Sequence, residues 1–80
     1  MISEAEFTQL IHTAFPDAEL ELFDKTGMMD HFALWISSKA FEGKNLIQRH
    51  QMVYQALDAA LKDGRIHAVE IKTDVPTQQV

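Results

Sequence analysis

The sequence predicts a single α+β domain over its 80 residues: a three-stranded sheet with both helices packed on one face, in the order helix, strand, strand, helix, strand. Two stretches repeat apolar residues at helical spacing. Three shorter stretches alternate apolar and polar residues, as half-buried strands do. Pro16, the Asp24–Gly27 turn and Gly64 punctuate the chain between them.

The first helix begins at Ser3, where Ser3 and Glu6 have the S-x-x-E spacing of a capping box and Ile2 and Phe7 occupy the flanking staple positions. Phe7, Leu10, Ile11, Ala14 and Phe15 then fall on one face. Pro16 ends the helix, because the residue before a proline is pushed out of helical angles. His12 lies off the apolar face and is expected in solvent. Residues 18–23 alternate, with Ala18, Leu20 and Leu22 on one side and Glu19 and Glu21 on the other. A turn, Asp24-Lys25-Thr26-Gly27, and a loop, Met28 to Asp30, lead into a second strand, His31 to Ser37. There Phe32, Leu34 and Ile36 share one face, and Ala33 and Trp35 the other. Two strands joined this closely form an antiparallel hairpin.

Residues 38–44 connect to the main helix, with Phe41 as the anchor into the core. That helix is expected to run unbroken from about Asn45 to Lys62, burying Leu46, His50, Val53, Leu57 and Leu61, with Tyr54 and Ala60 alongside. Gly64 stands where a helix ends in a left-handed residue. The third strand is expected from Ile66 to Thr73, with His67, Val69, Ile71 and Thr73 on one face. After Pro76, the tail TQQV is expected to fray.

Composition narrows the function. A chain this short buries only about 60% of its unfolded surface, room for one small core. No window approaches the roughly 18 apolar residues of a membrane span. Acids stand where a signal peptide would be basic, so the expected location is cytoplasmic. The chain has no cysteine, which excludes intrachain disulfides, thiol catalysis and any metal or cluster site built on its own sulfur. A net charge of −5 argues against a broad nucleic-acid surface. Without a catalytic acid pair, a Ser-His-Asp set or a phosphate loop, the chain is not expected to be an enzyme.

Three motifs in register, F-x-G-K at Phe41–Lys44, Q-R-H-x-x-V-Y at Gln48–Tyr54 and I-H-A at Ile66–Ala68, followed by Val75-Pro76, resemble the BolA family, including its IbaG branch. The resemblance spans Phe32 to Pro76 and places Phe41, Gly43, Arg49, His50, Val53, Tyr54 and His67 on motif positions. It implies a fold similar to class II KH domains. It also implies a partner, a monothiol glutaredoxin, with which members of the family form a heterodimer sharing a [2Fe-2S] cluster. The glutaredoxin side supplies a cysteine and a glutathione thiol. The BolA-like side supplies the histidine matching His67 and a second ligand from the loop between the first two strands. On this footing the isolated chain carries no cofactor and is a monomer or weak homodimer. Bacterial members are also linked to stress response and morphology, some with DNA binding.

The sequence departs from the family pattern twice. The loop ligand is usually Cys or His, yet residues 24–30 hold neither, so His31, with Asp30 behind it, is the substitute. Where relatives often carry an acid and a tryptophan past the proline, this chain has Thr77-Gln78-Gln79-Val80.

The candidate metal ligands are therefore His67 and His31. Imidazole suits the task chemically, since histidine replaces cysteine on one iron of Rieske centres. From the residues alone, His67 reads more readily as a structural or surface residue beginning a strand, and His31 as the first residue of a strand; the resemblance is what makes them ligands. His50, on the apolar stripe, reads as a buried histidine bonded to a backbone carbonyl. The alternative function is a DNA-binding regulator using Lys44, Arg49 and Lys39 near a helix start. Against it, the three glycines are not spaced for the GxxG loop of a KH domain. Met28-Met29 reads as loop packing, and Glu4, Glu6, Glu19 and Glu21 as a solvated acidic surface.

Overall fold

The computed structural model describes residues 2–76. The tail expected to fray, and with it the departure from the family pattern beyond Pro76, lies outside them. Helix α1 (Glu4–Ala14) leads to strands β1 (Glu19–Asp24) and β2 (His31–Ser37). A 3₁₀ turn (Lys39–Phe41), helices α2 (Leu46–Ala56) and α3 (Asp58–Lys62), and strand β3 (Ala68–Asp74) follow. β2 is central, antiparallel to β1 and parallel to β3. The connection from Ser38 to His67 is the long crossover that a parallel neighbour requires.

The predicted periodicities produce this directly. Phe32, Leu34 and Ile36 of β2 are buried beneath the helices, and the register sets Leu34 between Leu22 and Ile71 on that face. Phe7 of α1 meets Phe32 with ring centroids 5.1 Å apart, and Phe15 meets Phe41 at 5.2 Å. Val53, Leu57, Ala60 and Ile66 complete the core. Ala33 and Trp35 look out from the sheet's opposite face, both half-buried.

Several local expectations change. The main helix is not continuous: it breaks at Leu57, whose N–H is shared between the carbonyls of Val53 (3.1 Å) and Tyr54 (3.2 Å). Tightening toward 3₁₀ geometry there needs no proline or glycine. Asp58 then sits in the first turn of a new short helix, where an acid complements the dipole. The buried stripe is also narrower than expected. Leu46 is 63% and Tyr54 44% exposed, because the first turn of α2 is uncovered and its buried line runs through Val53 and Leu57. The Nε2 of His50 is buried without a hydrogen-bond partner among the described residues, so the expected carbonyl bond is absent at that atom.

Ser3 caps α1 by accepting from the Glu6 amide (3.1 Å), while the Glu6 carboxylate bonds Arg65 (2.9 Å) instead of completing the capping box. Ala14, on the predicted apolar face, is exposed. His12 is exposed as expected, with Nε2 3.0 Å from the Ala18 carbonyl oxygen. Glu4 and Glu6 lie on α1 and Glu19 and Glu21 on β1, all exposed. Met29, half-buried, packs against the core from a left-handed backbone (φ 56°), whereas Met28 is exposed.

All three glycines have left-handed backbone, Gly27 of the β1–β2 loop included (φ +78°). Gly43 of the F-x-G-K motif has φ +73° and Gly64 after α3 has φ +83°, the region where a Cβ is disfavoured. β3 begins at Ala68, two residues later than expected. Ile66 is a core residue whose N–H donates to the Ala60 carbonyl (3.1 Å), and His67 stands free of the strand.

Candidate metal centre

The β1–β2 loop is built on one carboxylate. Asp24, closing β1, accepts from the amides of Thr26 (3.3 Å) and Gly27 (3.0 Å) through Oδ1 and from Met29 (3.1 Å) through Oδ2. This is the side-chain-to-backbone bonding that lets Asp replace regular structure at turns. The compact loop brings Thr26 back over Asp30, and the Thr26 hydroxyl donates to Asp30 Oδ1 at 2.8 Å.

Sheet register supplies the rest. His31 pairs with Ala68, so the entry to β3 lies beside the end of the loop. The Asp30 carbonyl accepts from both His67 N–H (2.9 Å) and Ala68 N–H (3.2 Å), fastening the two segments together. His67 Nδ1 is then 3.4 Å from Asp30 Oδ2, and the rings of His31 and His67 meet edge to face at 6.1 Å. One donor atom from each of Asp30, His31 and His67 lies within 4.8 Å of the others. The structure thus brings His67 and His31 together, with Asp30 beside them. Two histidines and a carboxylate are a ligand set for a borderline transition metal.

The corner is accessible and carries a negative charge. The His67 side chain is 61% exposed and that of Asp30 22%. The Thr26 hydrogen bond holds the Asp30 carboxyl below the ordinary carboxylate range, opposed by desolvation and helped by smaller contributions from the neighbouring His31 and His67. The carboxylate is anionic at neutral pH and offers Oδ2 to a cation. Sequence reasoning placed Asp30 behind His31 but missed Thr26. Its one signal is the four-residue spacing Thr26 to Asp30 inside a turn-rich loop.

The basic residues of the alternative reading are arranged differently. Arg49 Nε donates to the Lys44 carbonyl (2.9 Å), and the Lys39 amide donates to Asp17 (2.8 Å), which also takes the hydroxyl of buried Ser38 (2.7 Å). The start of α2 is closed by a reciprocal box, Asn45 with the Gln48 amide and Gln48 with the Asn45 amide. That occupies amides a phosphate would use.

A mixed three-stranded sheet covered on one face by helices, with an exposed histidine pair at the mouth of its parallel strands, defines a small α+β domain. The family model described as BolA-like protein matches residues 11–78. The chain is 36% identical over 72 residues to an uncharacterised protein of Rickettsia prowazekii, covering 90% of this chain and 92% of that one. Its structure is similar to BolA1 from Arabidopsis thaliana (TM-score 0.82, 29% identity, 99% of this chain and 100% of that). It is also similar to the BolA domain of SufE1 from the same plant (TM-score 0.80, 30% identity, 95% and 96%). The chain belongs to the BolA family. None of the helices among the described residues is long and apolar enough to cross a membrane.

Proposed function

We propose that this protein is an adaptor that binds a monothiol glutaredoxin and completes a shared [2Fe-2S] cluster, in cluster trafficking or in sensing iron or stress. The observation that carries this reading is the convergence of His67 with His31 and Asp30 at one exposed corner. A cluster ligand that serves two proteins must be reachable by the second. His67 is reachable because it precedes β3, held by its backbone N–H on the Asp30 carbonyl while its imidazole stays free of the core.

The chain has no sulfur ligand of its own except methionine thioethers, so a partner must bring the thiolates. His67 would ligate one iron from this side, and His31 would be the second ligand from the loop. The cluster itself supplies electron transfer or is the cargo; the residues of this chain hold and release it. Mixed nitrogen and sulfur ligation on a solvent-facing site favours release over storage. The reading assigns no catalysis to the chain.

The test mixes the purified chain with a cluster-loaded monothiol glutaredoxin and follows visible circular dichroism. A new spectrum should appear with the native chain, collapse to that of the glutaredoxin alone with His67→Ala, and change in band position with His31→Ala. An unaltered spectrum and complex with His67→Ala would sink the reading.

A further inference from the structure

The geometry points to a second capacity of this corner: alone, without partner or sulfide, the chain binds one divalent transition-metal ion through Asp30, His31 and His67. This uses no sulfur and no second protein, so it stands apart from the shared-cluster reading although it draws on the same two histidines.

Three features carry it. The first is donor type. Two imidazoles and one carboxylate form the set that holds zinc in open sites and ferrous iron in facial triads, three protein ligands with positions left for water or another molecule. The second is separation. Ligand bonds of about 2.0–2.1 Å put neighbouring donors about 3.3 Å apart around a tetrahedral ion. His67 Nδ1 and Asp30 Oδ2 already stand 3.4 Å apart, and no pair of the three donors exceeds 4.8 Å. The remaining closure falls within side-chain rotation, since both histidines are exposed.

The third feature is support behind the ligand. Asp30 Oδ1 is engaged by the Thr26 hydroxyl at 2.8 Å, which leaves Oδ2 turned toward His67. Ligating carboxylates are characteristically held by such an outer hydrogen bond, which fixes their orientation before the metal arrives. Thr26 is positioned in turn by the loop that Asp24 ties together. The Asp30 carbonyl, by accepting from His67 and Ala68, fixes the distance between the loop and the β3 entry. Two of the three ligands are therefore set in place by the fold, and His31 begins a strand paired on both sides.

The probe is cobalt(II) titrated into the purified full chain, read by its visible d–d absorption, with zinc as competitor. Expected are saturation at one ion per chain, displacement by zinc, and a band intensity of low coordination number. Asp30→Asn and His67→Ala should each weaken binding at least about tenfold, and Thr26→Ala, which removes the bond to Asp30 together with the acceptor of the Met28 amide, about tenfold, whereas Thr26→Ser, which keeps the hydroxyl, should bind as the native chain does. His12→Ala should leave it unchanged. Zinc should also shift the ring-proton NMR signals of His31 and His67 together, ending at one equivalent, with His12 unmoved. That measurement on the native chain does not depend on any variant folding. Native-strength binding by Asp30→Asn, loss on His12→Ala, or zinc shifts absent from either His31 or His67 would overturn the proposal. Glutaredoxin is absent throughout, so a failure here leaves the shared-cluster reading standing, and a failed cluster experiment leaves this ion site standing.

Discussion

Neighbouring residues 66 and 67 should respond to truncation in opposite ways, which tests the separation of core from site. Ile66 is 1% exposed, packed within the main cluster, with its N–H on the Ala60 carbonyl. Replacing it by alanine removes buried methyl and methylene groups and leaves a cavity, at a cost of about 2–5 kcal/mol. A domain of this length has a total stability of about 4–12 kcal/mol, so the loss is a large share of the whole. With a urea m-value of about 1 kcal/mol/M, even the lower figure moves the midpoint down by about 2 M. His67, adjacent in sequence, touches the fold mainly through its backbone. His67→Ala should change stability by no more than about 0.5 kcal/mol, as exposed substitutions do. The assay is urea unfolding read by the fluorescence of the single tryptophan, Trp35, on the open face of the sheet. A neutral Ile66→Ala, or a His67→Ala as damaging as Ile66→Ala, would refute the division. In the same pair of variants, binding should follow the reverse order, His67→Ala losing the metal chemistry and folded Ile66→Ala retaining it.

Two further outcomes follow from the backbone and the charges. Gly64→Ala should lower stability by about 1 kcal/mol through strain alone, because φ is +83° and an added Cβ meets nothing within 4 Å among the described residues; thermal unfolding by far-UV circular dichroism checks it. The amide of Lys39, then the hydroxyl of Ser38, hold the Asp17 carboxyl below the ordinary carboxylate range. The unfolded chain therefore takes up this proton first as pH falls. The stabilisation by Asp17 is full above the ordinary carboxylate pKa and disappears as pH drops through the lower folded value. Urea midpoints measured across that acid window should fall less steeply for Asp17→Asn than for the native chain, and parallel curves would exclude the assignment.

Most elements were legible because their determinants are local. Capping by Ser3, the Pro16 stop, the alternation in Phe32, Leu34 and Ile36, and the left-handed stop at Gly64 each depend on a few adjacent residues. The errors came where tertiary packing decides. Leu46 has the spacing of a core residue, but nothing among the described residues covers the first turn of α2. The break at Leu57 has no helix-breaking residue to announce it. Ile66 looks like a strand residue because isoleucine favours strands, yet it serves as the plug between α3 and β3.

The same division holds for the site. By itself the sequence showed that the chain lacks thiolates and that His67 occupies a motif position of the family it resembles, and the resemblance left His31, with Asp30 behind it, as the substitute for the loop ligand. It could not determine that residues 36 positions apart would meet, because nothing local records which strand β3 joins or in which direction. Parallel pairing with β2 in the register His31 to Ala68 decided that, together with the fixing of both segments on the Asp30 carbonyl. Thr26 became visible as a support only once the loop had folded back on itself. A hydrogen-bond donor has meaning for a ligand only through its direction, and direction is a property of the tertiary structure.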